Sequence, residues 1–232
     1  TIIYPSDIVS RVNKGTVAFH CSVERWKNPM QLKTELASKD LDEFRKGFDF
    51  IIDIDAKAKI EHAQIAAIQV CEFLKEYKIN PTIKFSGSRG FHIAIAGNAF
   101  PTKLDFKEIS KCYPAIPQAL ATFIRERVFD RIMNELIKYE GGVSSLINTG
   151  ETVSEMSPYQ FIDIEKNWGS RHLFRMPYSL HPKKGLISIP ISFDELKNFN
   201  FDMAKPENVK FDRDFLVNKD GEATQLILDA LD

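Results

Sequence analysis

Residues 48–56 read FDFIIDIDA, so Phe48, Phe50, Ile52 and Ile54 fall on one side of an extended chain while Asp53 and Asp55 fall together on the other. The apolar density and β-branched content predict a strand buried on at least one face. Residues 61–77 switch to helical spacing, with Ala66, Val70, Phe73, Leu74 and Tyr77 on one stripe, and Asn80-Pro81 breaks the pattern before the next strand. A strand-helix-strand unit follows from this. Two short strands, 82–86 and 91–96, flank Gly87-Ser88-Arg89-Gly90 and predict a hairpin. Ile83, Phe85, Phe91, Ile93 and Ile95 suit its core side, leaving Lys84, Ser86, His92, Ala94 and Ala96 on the other. That division requires a connection of three or five residues.

Elsewhere the pattern is coarser. Residues 16–24 have β character and are followed by polar, helix-compatible sequence through Lys46. A helical segment covers about 105–140, its best-defined part a long helix over about 117–138 with Leu120, Ile124, Val128, Ile132 and Leu136 on one stripe. It ends near Gly141-Gly142, where a left-handed cap is favoured. Residues 143–156 are polar and irregular and predict a mobile loop. Short strands are expected at 159–164, 173–174 and 186–191, and a closing helix at 222–231. With no repeat and no low-complexity tract, the 232 residues read as mixed α/β (α+β), long enough for one large domain or two small modules sharing a cleft.

Composition narrows the functional classes. Hydrophobic residues make up 44% of the chain, enough for a core, and no apolar run approaches the ~20 residues that cross a bilayer. The expectation is a soluble, intracellular protein with no membrane partner. Cys21, Cys71 and Cys112 lie far apart with no Cys-x-x-Cys pair, so they are expected to be small buried residues, and no structural zinc is expected. A net charge of −1 argues against a protein that coats nucleic acid through many phosphate contacts, so any such contact must be local.

Candidate chemistry gathers in three segments. Asp53 and Asp55 project together at a strand end, with alternate residues roughly 6–7 Å apart, a separation that two cations ~3.5–4 Å apart can bridge. In the hairpin, Gly87 and Gly90 free the backbone to form a concave anion site, and Arg89 can grip phosphate oxygens in a fork. The third segment, FIDIEKNWGSRHLFRMPYSLHPKKGLISIPI, carries Asp163 after an apolar pair, then Arg171, His172, Arg175, His181, Lys183 and Lys184. Cations beside carboxylates suit nucleotidyl transfer, in which charge builds on the α-phosphate and the departing pyrophosphate. His172 reads as a packed strand residue. Arg25 and Trp26 read either as a contact for template or primer or as a solvated arginine beside a packed tryptophan.

These three segments, in this order, resemble the archaeo-eukaryotic primase superfamily, particularly the catalytic small subunit of primase. IIDIDA resembles its paired acids, SGSRGFH its nucleotide-binding motif, and residues 162–191 its third block, including Ser179, His181, Pro182 and Lys183. The resemblance implies a primase-polymerase core, a strand-helix-strand module plus an RRM-like module with the active site between them. It implies catalytic, metal-binding Asp53, Asp55 and Asp163, nucleotide-binding Ser86, Ser88, Arg89, His92, Arg175 and His181, and two Mg²⁺ or Mn²⁺ ions. The partners it implies are a single-stranded DNA template, a primer strand, NTPs or dNTPs, and a second primase subunit or further domains. The location it implies is cytoplasmic and, in a prokaryote, nucleoid-associated. Two departures stand out: no cysteine-rich zinc site is present, and position 175 holds arginine where several relatives have lysine. An end-joining repair polymerase of the same superfamily and a non-catalytic nucleic-acid-binding module are the alternatives.

Overall fold

A computed structural model describes residues 2, 4–33, 35–146 and 155–232. In chain order it contains helix α1 (Pro5–Asn13), strands β1 (His20–Ser22) and β2 (Glu24–Trp26), and one helical turn, α2 (Leu41–Phe44). Next come β3 (Arg45–Phe48), β4 (Phe50–Ala56), helix α3 (Ile60–Glu76), β5 (Thr82–Phe85), β6 (Gly90–Ile95), the hairpin of β7 (Lys103–Leu104) and β8 (Lys107–Glu108), and helix α4 (Ala115–Tyr139). The chain ends with β9 (Ile162–Ile164), β10 (Leu173–Arg175), β11 (Pro190–Ile191), α5 (Phe193–Lys197) and α6 (Thr224–Leu231).

A five-stranded sheet of order β11-β5-β6-β4-β9, antiparallel at every pairing, organises the core. The run β4-α3-β5-β6-α4-β9 is a split β-α-β-β-α-β unit, the RRM-like arrangement expected above, and β11 extends it at one edge. Helix α3 packs on β4 and β6 through Ala63, Ala66, Ala67 and Val70, small residues that let helix and sheet approach closely; α4 lies against α3 and α6 against α4. The opposite face is crossed by the β1–β10 ribbon, whose Phe174 ring sits 6.3 Å from the imidazole of His92.

From Ile52 to Asp55 the strand alternation in β4 holds: Phe50, Ile52 and Ile54 are fully buried and Asp53 and Asp55 only partly so, whereas Ile51, on the aspartate face, is buried as well. The hairpin connection is also of the expected length, because Ser86 N–H bonds Gly90 C=O at 2.9 Å and three residues lie between them. Several expectations are corrected. Residues 105–114 are not helical; they hold the β7–β8 hairpin and a 3-10 turn, and the helix starts at Ala115. The polar stretch before Lys46 contributes one helical turn and then β3, not a helix of useful length. The strand expected at 186–191 is reduced to β11. Cys71 is buried, whereas Cys21 and Cys112 are only partly so. Most of the loop expected at 143–156 lies outside the described residues. Among the described residues no helix is long and apolar enough to cross a membrane.

The C-terminal side of the sheet is held by α5. Ser192 caps it, its hydroxyl accepting from Glu195 N–H at 3.2 Å, and Arg213 grips the Glu195 carboxylate in a fork. The Arg213 guanidinium, with the Ser192 hydrogen bonds, holds the Glu195 carboxyl down at about 2. Stabilisation from this group is therefore complete above the ordinary carboxylate range, near 4.5, and is lost as pH falls towards 2. Glu195→Gln is expected to cost about 1–2 kcal/mol in urea unfolding at pH 7, with the difference closing near pH 2.

Candidate active site

The register between β9 and β4 decides where the third acid lies. Asp163 is the Cα partner of Asp55, so the two project side by side from neighbouring strands on the face that also carries Asp53. Across the other edge of β4, Asp53 is opposite His92 and Asp55 opposite Gly90. β9 is fixed in this register from behind: Arg125 of α4 donates to the Ile164 carbonyl, and Tyr159 O–H donates to the Arg125 carbonyl at 2.6 Å.

Asp53 sits at the bottom of the cleft with 42% of its side chain open, yet its Oδ1 is shielded and makes no hydrogen bond. His92 Nε2 is 3.4 Å from that oxygen, near enough for Coulombic contact but without hydrogen-bond geometry. Shielding, followed by the negative charges of Asp55 and Glu165, pushes the Asp53 carboxyl up to about 7. Asp55 is instead paired with Arg89, whose Nε donates to Oδ2 at 3.0 Å. The site thus disfavours a charged Asp53 despite the opposing pull of Lys84 and His172, which is the condition a bound cation relieves.

The floor beneath the acids is polar and closed. Lys84 is fully buried on the same face and donates to Ser188 Oγ at 2.7 Å, which in turn donates to the Phe85 carbonyl. Burial pushes the Lys84 ammonium down to about 7, against the opposing pull of Asp53. His92 is likewise enclosed; burial and then the charges of Lys84 and Arg175 hold it well below the ordinary histidine range, so it is a neutral imidazole. Ser86 Oγ accepts from Ser88 N–H at 3.4 Å, shaping the turn above.

The phosphate-binding candidates converge on that turn. Gly87 has φ +90, and a Cβ built on it would lie 3.4 Å from His181 Cβ and 3.5 Å from Arg175 Cδ. Two residues 94 positions downstream in the chain or fewer thereby meet the glycine turn directly. Arg175 donates to the Leu180 carbonyl at 3.3 Å, and His181 Nδ1 accepts from Lys184 N–H at 3.2 Å, which fixes both side chains at the rim.

A model of the DNA primase small subunit family matches residues 52–193, more than half of the chain. The chain belongs to that family. It is 28% identical over 153 residues to an uncharacterized protein of Methanocaldococcus jannaschii, an alignment covering 66% of this chain and 30% of the relative. The chain therefore corresponds to less than a third of that relative's length. The polymerase domain of Mycobacterium tuberculosis ligase D, solved in complex with DNA, superimposes with a TM-score of 0.45 at 17% identity, covering 78% of this chain and 54% of that one.

Within this primase-family chain, divalent ions are implied by the family rather than by a ready cage. Among the described residues no group of three or more His, Cys, Asp or Glu side chains is gathered to hold a metal. The donors nevertheless fit hard cations: all are carboxylate oxygens, two come from adjacent strands in register, and the shielded Asp53 Oδ1 has no hydrogen-bond partner.

Glu165, which sequence reading passed over, enters the site, and so does His172, which was read as a packed strand residue. Glu165 N–H bonds the Asp53 carbonyl at 3.0 Å, and the Glu165 carboxylate meets His172 Nε2 at 3.2 Å. His172 is outside any strand; it stacks on Trp168 with ring centroids 4.9 Å apart, and the Glu165 hydrogen bond raises its pKa. The FIDIE pattern held the signal, since Asp163 and Glu165 alternate as Asp53 and Asp55 do. Arg25 and Trp26 are not brought to this cleft as open contacts. Arg25 forks onto Asp49 (Nη2 to Oδ1, 2.6 Å), and Trp26 packs under the Arg45 guanidinium, 5.7 Å from its ring centroid. Lys183 and Lys184 lie on an exposed turn.

Proposed function

We propose that this chain is the catalytic core of a template-dependent nucleotidyltransferase, a primase-polymerase that makes or extends strands from NTPs or dNTPs on single-stranded DNA. The observation that carries this reading is the register that sets Asp163 beside Asp55, on the face where Asp53 lies and onto which Gly87, Arg175 and His181 converge. Asp53, Asp55 and Asp163 are the residues that would hold two Mg²⁺ or Mn²⁺ ions. Bound there, such ions lower the pKa of a primer 3′-hydroxyl and neutralise charge on the triphosphate.

The chain's own groups supply position and charge. Arg175 and Arg89 offer guanidinium forks to phosphate oxygens, with Arg89 giving up its grip on Asp55 when a triphosphate takes its place. His181, Ser86 and Ser88 border the same turn, and the neutral His92 offers a hydrogen bond without adding a charge. Together they hold the α-phosphate in line for attack. Starting a strand requires a second bound nucleotide, and a second primase subunit or further domain is the expected source of that site.

Incubation with single-stranded template, with or without primer, and with NTPs or dNTPs plus Mg²⁺ or Mn²⁺ tests the reading. Templated incorporation is expected. Normal DNA binding with no incorporation in any combination would make the chain a binding module instead, and a requirement for broken ends bearing a 5′-phosphate would make it an end-joining polymerase. Arg175→Ala is expected to raise KM for the nucleotide about 10–100-fold while affecting template affinity little, as steady-state kinetics would reveal.

A further inference from the structure

At the end of β4 away from Asp55, the chain forms a second concave surface that nucleotidyl transfer does not use. A cavity of about 780 Å³ opens beside Phe48, Gly97 and Phe100, and Lys27, Lys46 and Lys103 line it. Its acidic lining is already engaged: Glu108 meets Lys111 at 3.5 Å, and Asp220 accepts from Asn98 at 2.8 Å. The Arg45 charge is neutralised by Glu24 and Asp42. Lys27 donates to the Glu43 carbonyl at 3.0 Å, and Lys46 and Lys103 are exposed, so the cavity presents surplus positive charge.

One wall of this cavity is the β7–β8 hairpin. Lys103 pairs with Glu108 and Leu104 with Lys107, closing a two-residue turn in which Asp105 has φ 45 and Phe106 φ 66. A turn of this hand favours Asn-Gly, because a bulky side chain in left-handed backbone meets its own carbonyl. Phenylalanine stands there nonetheless, with 99% of its surface exposed and Lys107 next in the chain. Neither core packing nor turn preference accounts for it. An exposed apolar ring on a hairpin that carries Lys103 and Lys107, with Asp105 as its acid at the tip, matches a ligand of flat rings joined by phosphates.

We propose that the β7–β8 hairpin and its lysine-lined cavity form a second contact for single-stranded nucleic acid, with Phe106 stacked on a base and Lys46, Lys103 and Lys107 on flanking phosphates. Strand rise puts the cavity edge at Phe48 roughly 20 Å from Asp55, so the contact engages the strand several nucleotides from the reacting end. Such a contact is local, in keeping with the chain's net charge of −1. The proposal rests on the nucleic-acid partner of the reading above and is independent of the chemistry at the aspartates.

Fluorescence anisotropy of the full chain with a labelled oligothymidine, without divalent ions, tests it. Phe106→Ala is expected to weaken binding about tenfold, and Phe106→Trp to restore it with quenching of the added indole fluorescence. Lys103→Ala and Lys107→Ala are each expected to lower the slope of log affinity against log salt by about one. Because the tip is exposed, Phe106→Ala should melt as the wild type does. An F106A affinity within twofold of wild type, with no quenching in F106W, overturns the proposal even where incorporation proceeds normally. Phe106-dependent binding in a chain that incorporates nothing would sustain the hairpin contact and sink the catalytic reading instead.

Discussion

Asp53→Ala and Asp55→Ala are each expected to lower incorporation on a primed template by on the order of 10³-fold or more while leaving the fold intact. The two halves of this expectation have one physical origin. Asp53 has a shielded oxygen without a hydrogen-bond partner, and burial first, then the charges of Asp55 and Glu165, push its carboxyl up to about 7. Folding gains nothing from that arrangement, so deleting the carboxylate should leave the melting temperature unchanged or raise it. Catalysis, in contrast, loses one of the two carboxylates that β4 supplies. Asp163→Ala is expected to follow the same pattern, because Asp163 stands beside Asp55 in register. Glu165→Gln should have a smaller effect, since Glu165 is engaged with His172. Single-turnover incorporation with Mg²⁺ and with Mn²⁺, alongside circular-dichroism melting, measures both halves. Wild-type rates in D53A or D55A would remove the aspartates from the mechanism.

Which parts of the site could be read from the sequence follows from how each was encoded. The carboxylate face of β4 was legible because strand alternation is a local rule, and Ile52-Asp53-Ile54-Asp55 obeys it, although Ile51 on the same face as the aspartates is buried. The three-residue connection of the next hairpin was legible for the same reason, since only an odd length keeps Phe85 and Phe91 on the same side. Features set by distant contacts were not legible. Arg45 and Lys46 read as polar, helix-compatible sequence, yet Arg45 is buried in β3 because Glu24, Trp26 and Tyr113, far from it in sequence, enclose its guanidinium. Lys84 was placed on the correct face, but its complete burial depends on Phe174 of the ribbon crossing above it, 5.8 Å from Nζ. His172 was read as a packed strand residue beside Leu173 and Phe174. Its actual role, tied to Glu165 and stacked on Trp168, appears only once the chain returns to β4 through the Glu165–Asp53 backbone bond.

Gly90→Ala is expected to destabilise the protein by about 3 kcal/mol or more, lowering the melting temperature by roughly 6–12 °C. The residue has no unusual backbone angle; the constraint is space. A Cβ there would lie 2.0 Å from the Ile54 carbonyl oxygen and 2.6 Å from Asp55 Oδ1. The Asp55 carboxylate can swing aside, but the backbone carbonyl cannot yield cheaply. The Ile54 carbonyl belongs to the central strand, and β6 is itself fixed between β5 and β4 with the fully buried Phe91 following at once. Relief requires the strand ends to part, which breaks the Asp55–Gly90 pairing and the bond from Ala56 N–H to the Arg89 carbonyl, 3.0 Å long. Asp55 and the Arg89 turn would move with them, so incorporation should fall even at temperatures where the variant remains folded. Gly141→Ala is the informative comparison, because its φ of +81 makes a side chain strained but no atom lies within 4 Å of its added Cβ. That variant should lose only about 1 kcal/mol and keep its activity. If G90A melted with G141A, the close approach of β6 to the carboxylate end of β4 would be wrong, and with it the geometry that brings the hairpin turn to the aspartates.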